Sequence, residues 1–175
     1  MQTIWGNLFK RRSCGEDSLK KILHNIPVFQ DLTDRELLHI ERILYRRSYK
    51  AGEVIFREGD PGLGMYIIEQ GLVDITLASG DQKLIELCDG DFFGELALLD
   101  DGPRTATATA REDCRMLCFF QPELMDLLKV SPRLGVKVLL GLSRTLGERL
   151  KRANEYIQIL KTVESDISDQ RRMNV

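Results

Sequence analysis

The period of the apolar residues changes twice along the chain, from helical to strand-like near Tyr49 and back to helical after Phe119. Ile4, Trp5, Leu8 and Phe9 recur at helical spacing ahead of Lys10-Arg11-Arg12, which predicts an amphipathic arm over residues 1–15. Glu16 to Asn25 reads as a short helix stopped by Ile26-Pro27. Thr33-Asp34-Arg35-Glu36 is a capping box that opens a second helix to about Leu44. From Tyr49 the chain alternates short apolar runs with glycine or aspartate turns at Ala51-Gly52, Gly59-Asp60-Pro61-Gly62, Gln70-Gly71, Ser79-Gly80-Asp81 and Asp89-Gly90. Val54-Ile55-Phe56, Met65-Tyr66-Ile67-Ile68, Val73 to Leu77, Leu84 to Leu87, Thr105 to Ala110 and Arg115 to Phe119 supply strands. The expected fold is mainly β with flanking helices, an antiparallel jelly roll of about eight strands between N-terminal helices and a long C-terminal helix.

After the strands, Gln121-Pro122-Glu123 opens a helix to about Val130, Ser131-Pro132 punctuates it, and a long helix starts at Arg133. This divides the chain into the arm 1–15, a central domain 16–131 and a helical tail 132–175. In the long helix Leu146, Leu150, Ala153, Ile157 and Leu160 alternate spacings of four and three, the seam of a coiled coil, which predicts a homodimer. The polar stretch Ser165 to Val175 is expected to fray.

The candidate chemistry is concentrated between residues 90 and 110. Gly94 frees the backbone where the chain leaves extended structure, and Glu95-Leu96-Ala97-Leu98-Leu99 allows about one helical turn. Such a turn presents unpaired N–H groups suited to a phosphate or another small anion. Asp100-Asp101-Gly102-Pro103 folds the chain back and returns Arg104 to the same place, where its planar fork matches two phosphate oxygens. The Glu95 carboxylate only accepts hydrogen bonds, so its natural ligand is a hydroxyl pair such as a ribose edge. A phosphate fused to a sugar with a free hydroxyl satisfies both groups.

Phe-Gly-Glu-Leu-Ala-Leu-Leu followed by Pro-Arg-Thr-Ala-Thr resembles, over residues 93–106, the phosphate-binding cassette of the cyclic nucleotide-binding domain family. That family includes the catabolite activator protein, the regulatory subunits of cyclic AMP-dependent protein kinase and the cyclic nucleotide-gated channels. The likeness extends to Pro27-Val28-Phe29-Gln30-Asp31-Leu32, Gly-Glu-x-Ile-Phe and Met-Tyr-Ile-Ile-x-x-Gly, covering roughly residues 25 to 160. It implies a stand-alone, bacterial-type sensor in which Glu95 takes the ribose 2′-hydroxyl and Arg104 the cyclic phosphate. The N–H groups of Ala97 and Thr105 would complete the cradle, and Gly94 would admit the backbone to the sugar. Ile85, Leu87 and Leu96 are expected to cover the base, with Asn154 of the long helix as a lid. Cyclic AMP is the expected ligand and cyclic GMP the alternative, since the Thr105 hydroxyl suits a guanine in some members. Ligand binding would move the flanking helices against an effector protein.

Composition narrows these readings. The 175 residues carry 25 basic and 27 acidic side chains, a formal charge of -2, which disfavours a nucleic-acid footprint. No apolar run approaches the roughly 20 residues of a bilayer span and no cleavable signal pattern opens the chain, so a cytoplasmic protein is expected. Residues 1–12 leave room for weak contact with a membrane surface. Cys14, Cys88, Cys114 and Cys118 lack metal-ligand spacing, and His24 and His39 lie in helices, so neither a metal site nor a metal-dependent jelly-roll enzyme is expected. Two alternatives stand beside the sensor: a dimeric jelly-roll interaction module that no longer binds nucleotide, and a regulator lacking its DNA-binding domain.

Overall fold

The computed structural model describes residues 16–77 and 83–173; the amphipathic arm and the Ser79-Gly80-Asp81 turn fall outside the described residues. The chain runs α1 (Glu16–Asn25), a 3-10 turn Pro27–Phe29, α2 (Asp34–Ile43), β1 (Tyr45–Tyr49), β2 (Val54–Phe56), β3 (Gly64–Gln70), β4 (Val73–Thr76) and β5 (Lys83–Leu87). It continues through β6 (Phe92–Phe93), a 3-10 turn Glu95–Leu98, β7 (Thr107–Ala110), β8 (Cys114–Phe120), α3 (Gln121–Val130) and α4 (Pro132–Met173). Two four-stranded antiparallel sheets result, ordered β1-β8-β3-β6 and β2-β7-β4-β5. This is the expected jelly roll with flanking helices.

Side-chain alternation explains why β3 and β8 of the first sheet read as nearly continuous apolar runs. Tyr66 and Ile68 of β3, with Cys114, Met116 and Cys118 of β8, face the second sheet, where they meet Val73, Ile85, Leu87, Ala108 and Ala110. The intervening Met65, Ile67, Leu117 and Phe119 point the other way and join Leu23, Ile26, Phe29, Ile40, Leu124, Val138 and Leu142 beneath the helices. A sheet covered on both faces needs apolar residues at every position. Burial pushes the Cys118 thiol up to about 11, so it stays a neutral core group.

Three features depart from expectation. Tyr45–Tyr49 forms a full strand, paired with β8, where strand periodicity had been read only from Tyr49. Its charged sequence Tyr-Arg-Arg-Ser-Tyr lies at a sheet edge, and charge there discourages edge-to-edge association. Strand β7 begins at Thr107 instead of Thr105, which leaves Arg104 and Thr105 in the connection before it. The backbone of α4 remains helical to Met173, past the polar stretch from Ser165 that was expected to fray.

The first half of α4 is fixed against the N-terminal helices. A Cβ at Gly141 would stand 2.1 Å from the Val28 carbonyl oxygen, so glycine permits the close approach of α4 to the Pro27–Phe29 turn. The capping box at Thr33 forms as predicted, and its Glu36 also receives Lys137 of α4 at 2.8 Å. Arg144 pairs with Asp31 two turns further on. Beyond this region Leu150 and Ile157 are exposed, as are Val136 and Leu140 earlier on the helix. Among the described residues no helix is long and apolar enough to cross a membrane.

Candidate ligand site

Gly94 turns the chain out of β6 at φ 74° and ψ 18°, a left-handed conformation that a Cβ would strain. A Cβ there would also come within 2.5 Å of Nη1 of Arg104. The predicted helical turn is 3-10, and within it the Ala97 N–H donates to the Gly94 carbonyl at 3.3 Å. The return loop is pinned at both ends. Asp100 accepts from the Gly102 N–H, Pro103 bridges to Pro61, and the Arg104 N–H donates to the Asp60 carbonyl at 2.8 Å while its own carbonyl accepts from Gly59 at 2.9 Å.

These contacts drive the Arg104 side chain inward until it is 7% exposed. Nη1 donates to the Gly94 carbonyl at 3.0 Å and Nη2 to the Gly64 carbonyl at 2.7 Å, while Nε has no hydrogen-bond partner. Beneath the guanidinium lies the Phe56 ring, 4.1 Å from ring centre to Cζ. Burial lowers the pKa of the group from its ordinary value, because the charged form is drawn out of water. Among the described residues Arg104 forms no ion pair.

Glu95 is equally buried but is paired. Its carboxylate meets Arg149 of α4, which also donates to the Phe92 carbonyl at 3.2 Å and lies 4.7 Å above the Phe92 ring. Between the turn, the second sheet and α4 opens a cavity of about 640 Å³, within the range of small-molecule sites. Gly94, Glu95, Leu96, Ala97, Arg104 and Thr105 line one side, with Ile85 and Leu87 opposite. A shallower hollow of about 260 Å³ between α1, α2 and β1 is less than half that volume.

Comparison with known proteins identifies what shares this arrangement. Residues 46–131 match the cyclic nucleotide-binding domain family. The crystal structure of the N-terminal domain of a transcriptional regulator from Streptomyces coelicolor A3(2) aligns with a TM-score of 0.67 at 30% identity, over 77% of this chain and 95% of that one. The chain belongs to the cyclic nucleotide-binding domain family. A cAMP-dependent protein kinase regulatory subunit from Colletotrichum orbiculare is 40% identical over 108 residues, 62% of this chain and 27% of that protein. The Cyclic AMP receptor protein of Thermus thermophilus is 32% identical over 142 residues, 79% of this chain and 64% of that protein. This chain therefore spans only part of either relative's length.

Within this cyclic nucleotide-binding domain the expected lid residue is displaced. Asn154 is exposed and does not line the cavity, whereas Arg149 and Tyr156 of the same helix do. Seven residues is two turns of helix, so Arg149 and Tyr156 share a face, and Asn154 lies roughly 140° around from Arg149. That spacing was available in the sequence as a signal for both missed residues. Phe56 was read only as a strand residue, and no sequence pattern ties it to Arg104, 48 positions away.

Proposed function

We propose that this chain is a non-catalytic cyclic nucleotide sensor, with cyclic AMP as the ligand that fits best. The observation that carries the reading is the buried Arg104, a desolvated cation without an ion-pair partner among the described residues, facing the same cavity as the Glu95 carboxylate. An anionic ring fused to a ribose supplies a partner for each: phosphate oxygens for the guanidinium and a hydroxyl for the Glu95 carboxylate. The apolar wall of Ile85 and Leu87, with Leu96 and Tyr156, suits a flat base. Two of the relatives above bear cyclic AMP in their names, which favours that base over guanine.

The sensor's output runs through α4. Arg149 connects Glu95 to this helix, while Lys137 and Arg144 connect it to α2 and the Pro27–Phe29 region, so a ligand drawing on Glu95 changes what holds α4 in place. The outer face of α4 is offered to a second copy. Leu150 is 62% exposed and Ile157 49%, and both belong to the predicted seam; Leu146 and Ala153 are half-buried, and Leu160 lies beyond the side chains described.

Calorimetric titration of the purified protein with cyclic AMP and cyclic GMP, with sedimentation of the same samples, tests this reading. Saturable heat from cyclic AMP, a weaker response to cyclic GMP and a dimeric mass are expected. Absence of heat from both nucleotides would leave the interaction module as the better description.

A further inference from the structure

The Arg104 guanidinium is seated on a cluster of rings contributed by both sheets. Phe56 of β2 lies 4.1 Å beneath it and Tyr66 of β3 5.7 Å away. Phe93 of β6 stacks on Tyr66 at 5.4 Å and 14°, and Phe56 contacts both of these rings at 5.7 Å. Three aromatic side chains thus make one continuous platform whose edge is the cavity wall.

The nature of this support matters for an incoming anion. A carboxylate beneath Arg104 would neutralise the guanidinium, and an anionic ligand would then have to compete with an internal partner. A ring face attracts a cation through its quadrupole and leaves the net charge in place. The carbonyls of Gly94 and Gly64 do the same at Nη1 and Nη2. The protein therefore holds a desolvated cation with no carboxylate in contact, the Glu95 and Asp60 charges acting only from beyond ion-pair distance.

We propose that Phe56 and Tyr66 are positioning residues that set the anion affinity of the cavity by holding the Arg104 guanidinium desolvated, aligned and free of a contacting carboxylate. The assignment rests on the nucleotide reading above for the identity of the ligand, but the platform itself is a property of the ligand-free protein. Tyr66 is the more selective probe. It does not line the cavity and so acts on a ligand only through its neighbours Arg104, Phe56 and Phe93, whereas Phe56 lines the cavity wall itself.

The test combines two readouts on Phe56→Leu, Phe56→Trp, Tyr66→Leu and Tyr66→Phe, each checked for a cooperative unfolding transition. The first is the Nε–Hε signal of Arg104 in nitrogen-15 spectra of the ligand-free protein, assigned by its loss in Arg104→Lys. A ring-current shift is expected in the wild type and in the two aromatic replacements, and a return toward the ordinary position in the two leucine variants. The second is cyclic AMP affinity. We expect Phe56→Leu to weaken it roughly 5- to 30-fold and Tyr66→Leu about 3- to 10-fold, with the aromatic replacements within about 2-fold of wild type. Unchanged affinity in both leucine variants, equal loss in leucine and aromatic variants, or an unshifted Arg104 signal would each overturn the platform. Failure of the wild type to bind cyclic AMP would sink the nucleotide reading instead, and the Arg104 signal would still decide on the platform.

Discussion

Arg104 and Arg149 reach the same cavity from different elements, and they differ in what faces the charge. Arg104, from the loop before β7, rests on Phe56 and two backbone carbonyls and keeps its full charge. Arg149, from α4, also lies over a phenylalanine, but its charge is opposed by Glu95. One guanidinium is therefore available to an anion, and the other is a latch between helix and cavity floor. Two residues of identical chemistry acquire different roles because a carboxylate makes contact with only one of them, while Glu95 and Asp60 act on Arg104 from beyond ion-pair distance.

The largest effect in this comparison is expected from Arg104→Ala. Removing the cation that faces a buried phosphate costs about 2–5 kcal/mol, or 30-fold to several thousandfold in cyclic AMP affinity. Calorimetric titration measures it directly, and heats equal to wild type would mean that the two arginines had been assigned the wrong way round. Arg149→Met comes next and acts mainly on stability. Glu95, 5% exposed, would be left without its cation, at a cost of about 2–3 kcal/mol, and Glu95→Gln in the same chain should recover part of it. Urea denaturation of the single and double variants reads this out; a midpoint unmoved by Arg149→Met would remove the latch.

The smallest expected effect concerns the other end of the helix, where Lys137 meets Glu36. Hydrogen bonding from Lys137, the leading cause, lowers the Glu36 pKa from its ordinary 4.5 to about 2. A depressed carboxylate stabilises the fold above its unfolded value and loses that contribution as pH falls through its folded one. Stability of the wild type should therefore exceed that of Glu36→Gln at neutral pH and converge on it between about pH 4.5 and 2. The difference should be about 1 kcal/mol or less, because Lys137 is 38% exposed and the pair is screened. Parallel denaturation curves across that range would show that the Lys137–Glu36 pair does not help to hold α4.

Much of the fold was legible because it rests on local rules. The Thr33–Glu36 capping box, Pro122 and Pro132 at helix starts, and turn residues between apolar runs place α1, α2, α3 and most strands close to their observed bounds. Strand β1 was not legible. It is held by pairing with β8, a partner some 70 residues later in the chain, and its exposed charged side chains leave no periodic trace. Asn154 lies off the cavity in this chain because it sits on a different face of α4 from Arg149 and Tyr156, and rotation by roughly 100° per residue makes such an offset decisive.

By itself the sequence determined the components of the site: a glycine before a short turn, a carboxylate on that turn, a loop returning an arginine, and apolar strands opposite. Backbone conformation and reach are set by residues close in the chain, so these parts follow from local chemistry. Only the tertiary structure decided which arginine remains charged toward the cavity and which is cancelled. Neutralisation depends on distances of a few ångströms between β2, β6 and α4, elements separated by up to about a hundred positions, and no local pattern encodes them.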